Sequence, residues 1–287
     1  MNKYFKGWYF KIQNEHQTAA LIPAMHIDGD SQKSCSIQII TKNSSWSILF
    51  PYDHFKCIGN RPKAKIGENI FSEKGISLNI QTEIISANGV LKFEDLTPLS
   101  YDIMGPFKYI PFMECRHSIF SMTHKVNGYL YINDEKYLFK NDVGYIEGDR
   151  GRSFPKSYAW TQCNFFYKTQ NSIMLSVAEI PIGAIEFTGI IGEILWHGKS
   201  YRIATYLGAR AIEIGNGMLV VKQGRLTFTS KLIKKQDKLL YAPVCGNMKR
   251  TIRESLSCTA YYQLEENGEK IFEFITDSAS FEYEYDT

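Results

Sequence analysis

Short runs of alternating apolar and polar residues recur along the whole chain, and helical spacing is scarce. In extended backbone alternate side chains share a face, so such runs build half-buried strands. The pattern predicts strands over residues 8–13, 19–25, 34–41, 45–50, 76–80, 117–124, 128–132, 201–207, 218–222, 225–230, 255–264 and 270–276. Asn88-Gly89, Asn127-Gly128 and Asn267-Gly268 read as turns between them. Residues 96–113 carry Pro98, Pro106 and Pro111 and read as an irregular crossover. The expected class is all-β with little helix, as barrels or sandwiches. One internal echo suggests duplication. Gly7-Trp8-Tyr9-Phe10 precedes Ala20-Leu21-Ile22-Pro23, and Trp160-Thr161-Gln162 precedes Ala178-Glu179-Ile180-Pro181. Two related β-barrel domains, 1–143 and 144–287, are the expected organisation.

At 44% hydrophobic and 22% charged residues the chain can build a full core and is not of disordered composition. Its 18 Tyr, 18 Phe and 4 Trp favour strands and suit the lining of cavities. The net charge of +3 is spread over mixed signs, which argues against a nucleic-acid partner. Lys234-Lys235 and Lys249-Arg250 are short enough to be solvated turns. The six cysteines show no CxxC spacing, so neither a metal site nor a disulfide framework is expected from them. The first residues hold no apolar leader segment, and no run approaches the length of a membrane span. The expectation is a soluble cytoplasmic protein with reduced thiols.

The block from Gly144 to Pro155 is the densest in chemistry, with two acids, two arginines and three glycines. Glu147 and Asp149 are two apart, so extended backbone puts both carboxylates on one face, where they can split their pKa values. Arg150 and Arg152 favour the ionised forms, and a salt-bridged turn is the bland alternative. The strand expected next, residues 158–166, presents Tyr158, Trp160, Gln162 and Asn164 on one face and Ala159, Thr161, Cys163 and Phe165 on the other. Rings interleaved with amides suit a mostly apolar ligand held by a few polar contacts. The bland reading is a sheet edge whose amides face water. Glu254 lies on the apolar face of its strand with Ile252, Leu256 and Cys258. A carboxyl buried there is a candidate general acid, or else pairs with a buried arginine. Glu114 and His124 share a parity that His117 lacks, which argues against a metal site built from the three, and His117 reads as a hydrogen-bonded interior residue. No Ser-His-Asp order, P-loop or dinucleotide fingerprint is present.

These residues also carry a resemblance. Gly7-Trp-Tyr-Phe10, Gly105-Pro-Phe107, Ile110 through His117, Gly144 through Pro155, Trp160-Thr-Gln-Cys-Asn164, Ser176 through Pro181, Thr205-Tyr206, Ala242 through Met248 and Ile252-Arg-Glu254 resemble the tocopherol cyclase family over nearly the whole chain. Family members often carry Asp-Trp-Gly where this chain has Asp149-Arg150-Gly151, which puts substrate identity in question. The plant members cyclise phytyl-quinols to chromanols in plastids. The wider kinship includes carotenoid hydratase-like and Diels–Alderase-like proteins. The resemblance implies two lipocalin-like barrels with a ligand pocket at their junction and no cofactor. It also implies acid-assisted cyclisation or hydration of a hydrophobic isoprenoid-type substrate, which needs a proton donor and a base in a dry cavity. Asp149 and Glu254 are the candidate donors, unranked, with Glu147 and Arg152 as further catalytic candidates. Trp8, Tyr158, Trp160, Gln162, Asn164, Glu114, His117 and Tyr206 are the candidate ligand contacts. A carrier of an apolar small molecule without turnover is the rival from another class, and an interaction protein that has lost its site is a third. The expected partner is a hydrophobic small molecule, with no nucleic acid and no integral membrane segment. Contact with a membrane surface would be transient.

Overall fold

The computed structural model describes residues 3–111, 113–164, 171–182 and 185–285, and among them there is no α-helix, only three short 3-10 turns. The chain forms two compact units, one of Met1–Asp102, Glu114–Phe154 and Leu240–Thr251, the other of Ile103–Met113, Pro155–Leu239 and Ile252–Thr287.

The first sheet contains β1 (Tyr4–Gln13), β2 (Thr18–Ile27), β3 (Lys33–Thr41), β4 (Ser45–Pro51), β5 (Phe55–Cys57), β6 (Ala64–Ile66), β7 (Asn69–Ser72), β8 (Gly75–Gln81), β9 (Ser86–Glu94), β10 (Cys115–Ile132) and β11 (Glu135–Gly151). Their order is β4-β3-β2-β1-β11-β10-β9-β8-β7-β6-β5, with every neighbouring pair antiparallel. The sheet curls until β3 approaches β6. Its inward residues, among them Trp8, Phe10, Leu21, Ile37, Phe71 and Ile146, form one packed core. Burying this apolar face drives the curl, because a flat sheet would leave it in water.

The second sheet contains β12 (Tyr158–Cys163), β13 (Ser172–Ile182), β14 (Ile185–Trp196), β15 (Lys199–Ala204), β16 (Arg210–Gly215), β17 (Met218–Gln223), β18 (Leu226–Lys234), β19 (Lys238–Val244), β20 (Asn247–Glu266) and β21 (Glu269–Tyr283). The order is β15-β14-β13-β12-β21-β20-β18-β17-β16, with β19 beside β20. Here β14 approaches β16. Ala159, Leu175, Ile194, Phe228, Tyr262 and Phe281 are part of its core. The all-β, double-barrel expectation therefore stands. The internal echo falls on matching positions, β1 with β2 and β12 with β13.

Several local expectations change. Gly144 to Gly151, read as the opening of a second domain, continues β11 and pairs with both β1 and β10. Asn127-Gly128 is not a turn but a bulge inside β10, with the register shifting between Val126 and Gly128. Asn88-Gly89 lies inside β9. Asn267-Gly268 does turn the chain, with both residues at positive φ, as a tight hairpin requires. The 158–166 strand ends at Cys163, and residues 165 and 166 lie outside the described residues.

Candidate functional site

Residues 144–151 of the glycine-rich block form the last stretch of β11, and their alternation sorts them by chemistry. Ile146 belongs to the first core, so Gly144 and Gly148 share its inward face. That face is crowded. A Cβ on Gly148 would lie 2.7 Å from Trp8 Cδ1, and one on Gly144 would lie 2.2 Å from His124 Nε2. Tyr145, Glu147 and Asp149 consequently project from the opposite face. On β10, His117 stands directly across from Asp149, and Ile119 across from Glu147. The imidazole thus reaches the facing acid and its diagonal neighbour together.

The contacts follow from this register. His117 Nδ1 lies 3.0 Å from Asp149 Oδ1, and Nε2 lies 3.3 Å from Glu147 Oε2, an ion pair whose N–H is not aligned for a straight hydrogen bond. Tyr145 Oη donates to Glu147 Oε2 at 2.6 Å, and Cys115 Sγ donates to Asp149 Oδ1 at 3.4 Å. Burial alone would lower the His117 pKa. Asp149, through charge and a hydrogen bond, and then Glu147, through its charge, overcome it, and the value rises to about 10. His117 is therefore an imidazolium at neutral pH. Desolvation pushes Tyr145 well above the ordinary phenol value, with the Glu147 charge adding to it. Desolvation and Asp149 push the Cys115 thiol up in the same way. Both groups stay protonated and serve as donors to the carboxylates.

The cluster centres on His117, which parity had set apart from Glu114 and His124. That comparison omitted the acids of the neighbouring strand. His117, Glu147 and Asp149 offer ligand atoms within 4.8 Å of one another, a donor set that could hold a cation. Ligation needs a neutral imidazole, so a metal would have to displace the proton that these same carboxylates hold on His117. Three members of the cluster were legible as candidates. Tyr145 was missed although it shares the parity of Glu147, and Cys115 was missed because its partner is set by cross-strand register.

The other candidates lie elsewhere. His124 packs its ring 4.6 Å from Phe93, lies 3.2 Å from Ser121 Oγ through Nδ1, and is lowered by burial to about 3. The Glu114 carbonyl accepts from Arg152 N at 2.7 Å and Ser153 N at 3.3 Å, so the backbones of Glu114 and Arg152 brace the end of β11. Trp8 is in the first core, its Nε1 donating to the Asn60 carbonyl at 3.4 Å.

In the second unit every residue of β12 is buried. Ala159 and Cys163 point into the core, so Tyr158, Trp160 and Gln162 occupy the other face. Tyr158 Oη donates to Glu282 Oε2 at 2.5 Å. Gln162 Nε2 donates to Asn164 Oδ1, which also accepts from Ser172 Oγ at 3.2 Å. These amides are buried, not solvated at a sheet edge. Glu254 is fully buried and stands across from Glu282, which in turn stands across from Trp160. Tyr206 Oη accepts from Arg202 Nη2 at 2.7 Å and donates to the Ile103 carbonyl at 2.7 Å. No disulfide joins any of the six cysteines, and among the described residues no helix is long and apolar enough to cross a membrane.

Comparison with known proteins adds family and fold. A family model described as tocopherol cyclase-like matches residues 85–283, more than half of the chain. The "Probable tocopherol cyclase, chloroplastic" of Oryza sativa subsp. japonica is 27% identical over 143 residues, 47% of this chain and 30% of that protein. The "Tocopherol cyclase, chloroplastic" of Zea mays is 26% identical over 144 residues, 48% of this chain and 30% of that protein. The matches thus span less than a third of these curated relatives. Kievitone hydratase from Nectria haematococca superposes with a TM-score of 0.52 at 12% identity, over 98% of this chain and 89% of that one. A candidate AttH protein from Nitrosomonas europaea gives 0.51 at 8% identity, over 99% and 92%. At such identities the structural likeness speaks for the fold.

Proposed function

The chain belongs to the tocopherol cyclase-like family, and on that premise we propose that it is a cofactor-free cyclase- or hydratase-type enzyme acting on a hydrophobic isoprenoid-type substrate. The observation that carries the reading is the His117 imidazolium held between Glu147 and Asp149. Because His117 is already protonated, a further proton entering the cluster has to sit on a carboxyl oxygen. That proton goes to one alkene carbon. A hydroxyl of the substrate, or a water, bonds to the neighbouring carbon, and its own proton returns to the carboxylate. The imidazolium neutralises the charge left on the carboxylate between these two events. Asp149 is assigned as donor and acceptor. Its side chain is 22% exposed against 8% for Glu147, and both its contacts in the cluster use Oδ1. Tyr9, across from Glu147 on β1, and Tyr145 supply rings on this face for a carbocation-like intermediate. The cysteines, none in a disulfide, fit a reducing compartment such as the cytoplasm.

The alternative is a carrier of an apolar small molecule, favoured by the buried aromatic and amide face of β12. Mass spectrometry of lipid extracted from the purified protein supplies the ligand, and turnover of that ligand separates the readings. An enzyme converts it and loses conversion in Asp149→Asn. Binding without conversion by the parent protein overturns the enzyme reading in favour of the carrier.

A further inference from the structure

On the face of β11 opposite the His117 cluster, three cations stand in register. Lys6 on β1 is directly across from Arg150, and Arg150 is directly across from Arg116 on β10. Directly opposed like charges on neighbouring strands repel. Lys6 is also buried, at 8% exposure. Its Nζ donates to the Gly59 carbonyl, lies 3.8 Å from Cys57 Sγ, and sits 5.2 Å from the Trp8 ring centre. Arg150 Nη1 donates to Ser118 Oγ at 3.3 Å. Among the described residues neither Lys6 nor Arg150 has a carboxylate partner. A buried cation facing a second cation is costly unless an anion completes the arrangement.

The same end of the first barrel holds a cavity of about 420 Å³, lined by Tyr4, Lys6, Met25, Tyr52, Phe55 and Lys56 among others. Met25 is across from Lys6 on β2, which continues the row into the cavity wall. Arg150, directly across from Lys6, brings a second cation next to this lining. Tyr52 and Phe55 stack with their ring centres 6.4 Å apart and give the cavity an apolar wall. The volume falls within the ordinary range for small-molecule sites.

We propose that this end of the first barrel is a second binding site, taking an amphipathic organic anion. Its carboxylate or phosphate head sits between Lys6 and Arg150, and its apolar stem lies along Tyr4, Tyr52 and Phe55. The site is formed by the inward face of the strands, so it does not depend on the reaction assigned to the His117 cluster.

The test is equilibrium binding at low salt of two probes, a long-chain polyene fatty acid and a prenyl monophosphate, each against its uncharged alcohol. The parent should bind at least one anion about tenfold or more tighter than the matching alcohol. Lys6→Met and Arg150→Gln should each remove about tenfold of that affinity and leave alcohol binding unchanged. Arg150→Trp should do the same; if Lys6→Met fails to fold, the two Arg150 variants decide. Asp149→Asn should keep anion binding whether or not it loses turnover, so the two proposals fail separately. A preference for one head group over the other identifies the anion. Equal affinity for anion and alcohol, or folded Arg150 variants that bind both anions like the parent, overturns the proposal.

Discussion

The two barrels share an arrangement and differ in what they place on its outward face. In both, an aromatic strand (β1 or β12) is flanked by the next hairpin strand and by the last strand of its sheet. On β10 and β11 that outward face carries a cation between two acids. On β12, β13 and β21 it carries paired amides, a phenol on a carboxylate, and Glu254 opposite Glu282. The first arrangement stores a proton on His117. The second satisfies buried polar groups mostly with neutral donors and so fixes the positions of Tyr158, Gln162 and Asn164. Similar strand positions can therefore hold either reactive or shaping groups. What separates them is which residue the register places across the strand.

The contrast is broken most directly by catalysis. Asp149→Asn should lower turnover of the extracted ligand by about two to four orders of magnitude, since the amide neither gives nor takes a proton. Glu254→Gln should have a much smaller effect. Single-turnover assays that reverse this order would move the chemistry to the second unit.

Stability gives the next test. His117→Gln leaves Glu147 and Asp149 facing each other without the cation between them. The expected loss is about 3–5 kcal/mol, the scale for breaking a buried ion pair from one side. Urea unfolding measures it, and hydrogen exchange should place the loss in β10 and β11. A loss spread evenly over both sheets would blur the distinction between them.

The pH dependence sharpens it further. In the folded chain His117 keeps its proton up to about pH 10, against an ordinary value of 6.5. Its stabilising contribution is complete below 6.5 and fades as pH rises toward 10. His26 and His124 behave oppositely, because burial lowers them to about 4 and about 3. Their contribution is complete above 6.5 and is lost as pH falls through their folded values. Exchange protection of the first sheet should therefore peak near neutrality and decline on both sides. His117→Gln should remove the decline that begins above pH 6.5, leaving the acid decline and the one above about pH 9 that the buried Cys115 and Tyr145 cause.

The smallest effect is expected in the second unit. Tyr206→Phe removes the hydroxyl that joins Arg202 to the Ile103 carbonyl, and should cost about 1 kcal/mol by thermal or urea unfolding without changing ligand turnover. A large loss of turnover would show that this polar network does more than hold shape.

Much of this was readable in the chain. Alternation is a covalent property of extended backbone, so the strand content and the shared face of Glu147 and Asp149 could be inferred without partners. The echo between residues 7–23 and 160–181 located corresponding strands in two barrels. The faces did not carry over: Trp8 points into the first core, whereas Trp160 lies on the outward face of its strand. The end of the first sheet was misplaced because β11 runs on through Gly151, and local sequence does not say which neighbour a strand pairs with.

Residue order alone established an all-β chain with Tyr145, Glu147 and Asp149 on one side of a strand. The folded sheet established that His117 meets two of them. β10 pairs with β11 through register shifts at Ile119/Ser121, Ser121/His124 and Val126/Gly128. Each shift changes which residues stand opposite and breaks the alternation locally, so that Ile119 and Ser121, two apart, face residues on opposite faces of β11. The imidazolium and its raised pKa exist only through that pairing, because the charges that stabilise it lie about thirty residues away along the chain and about 3 Å away in space.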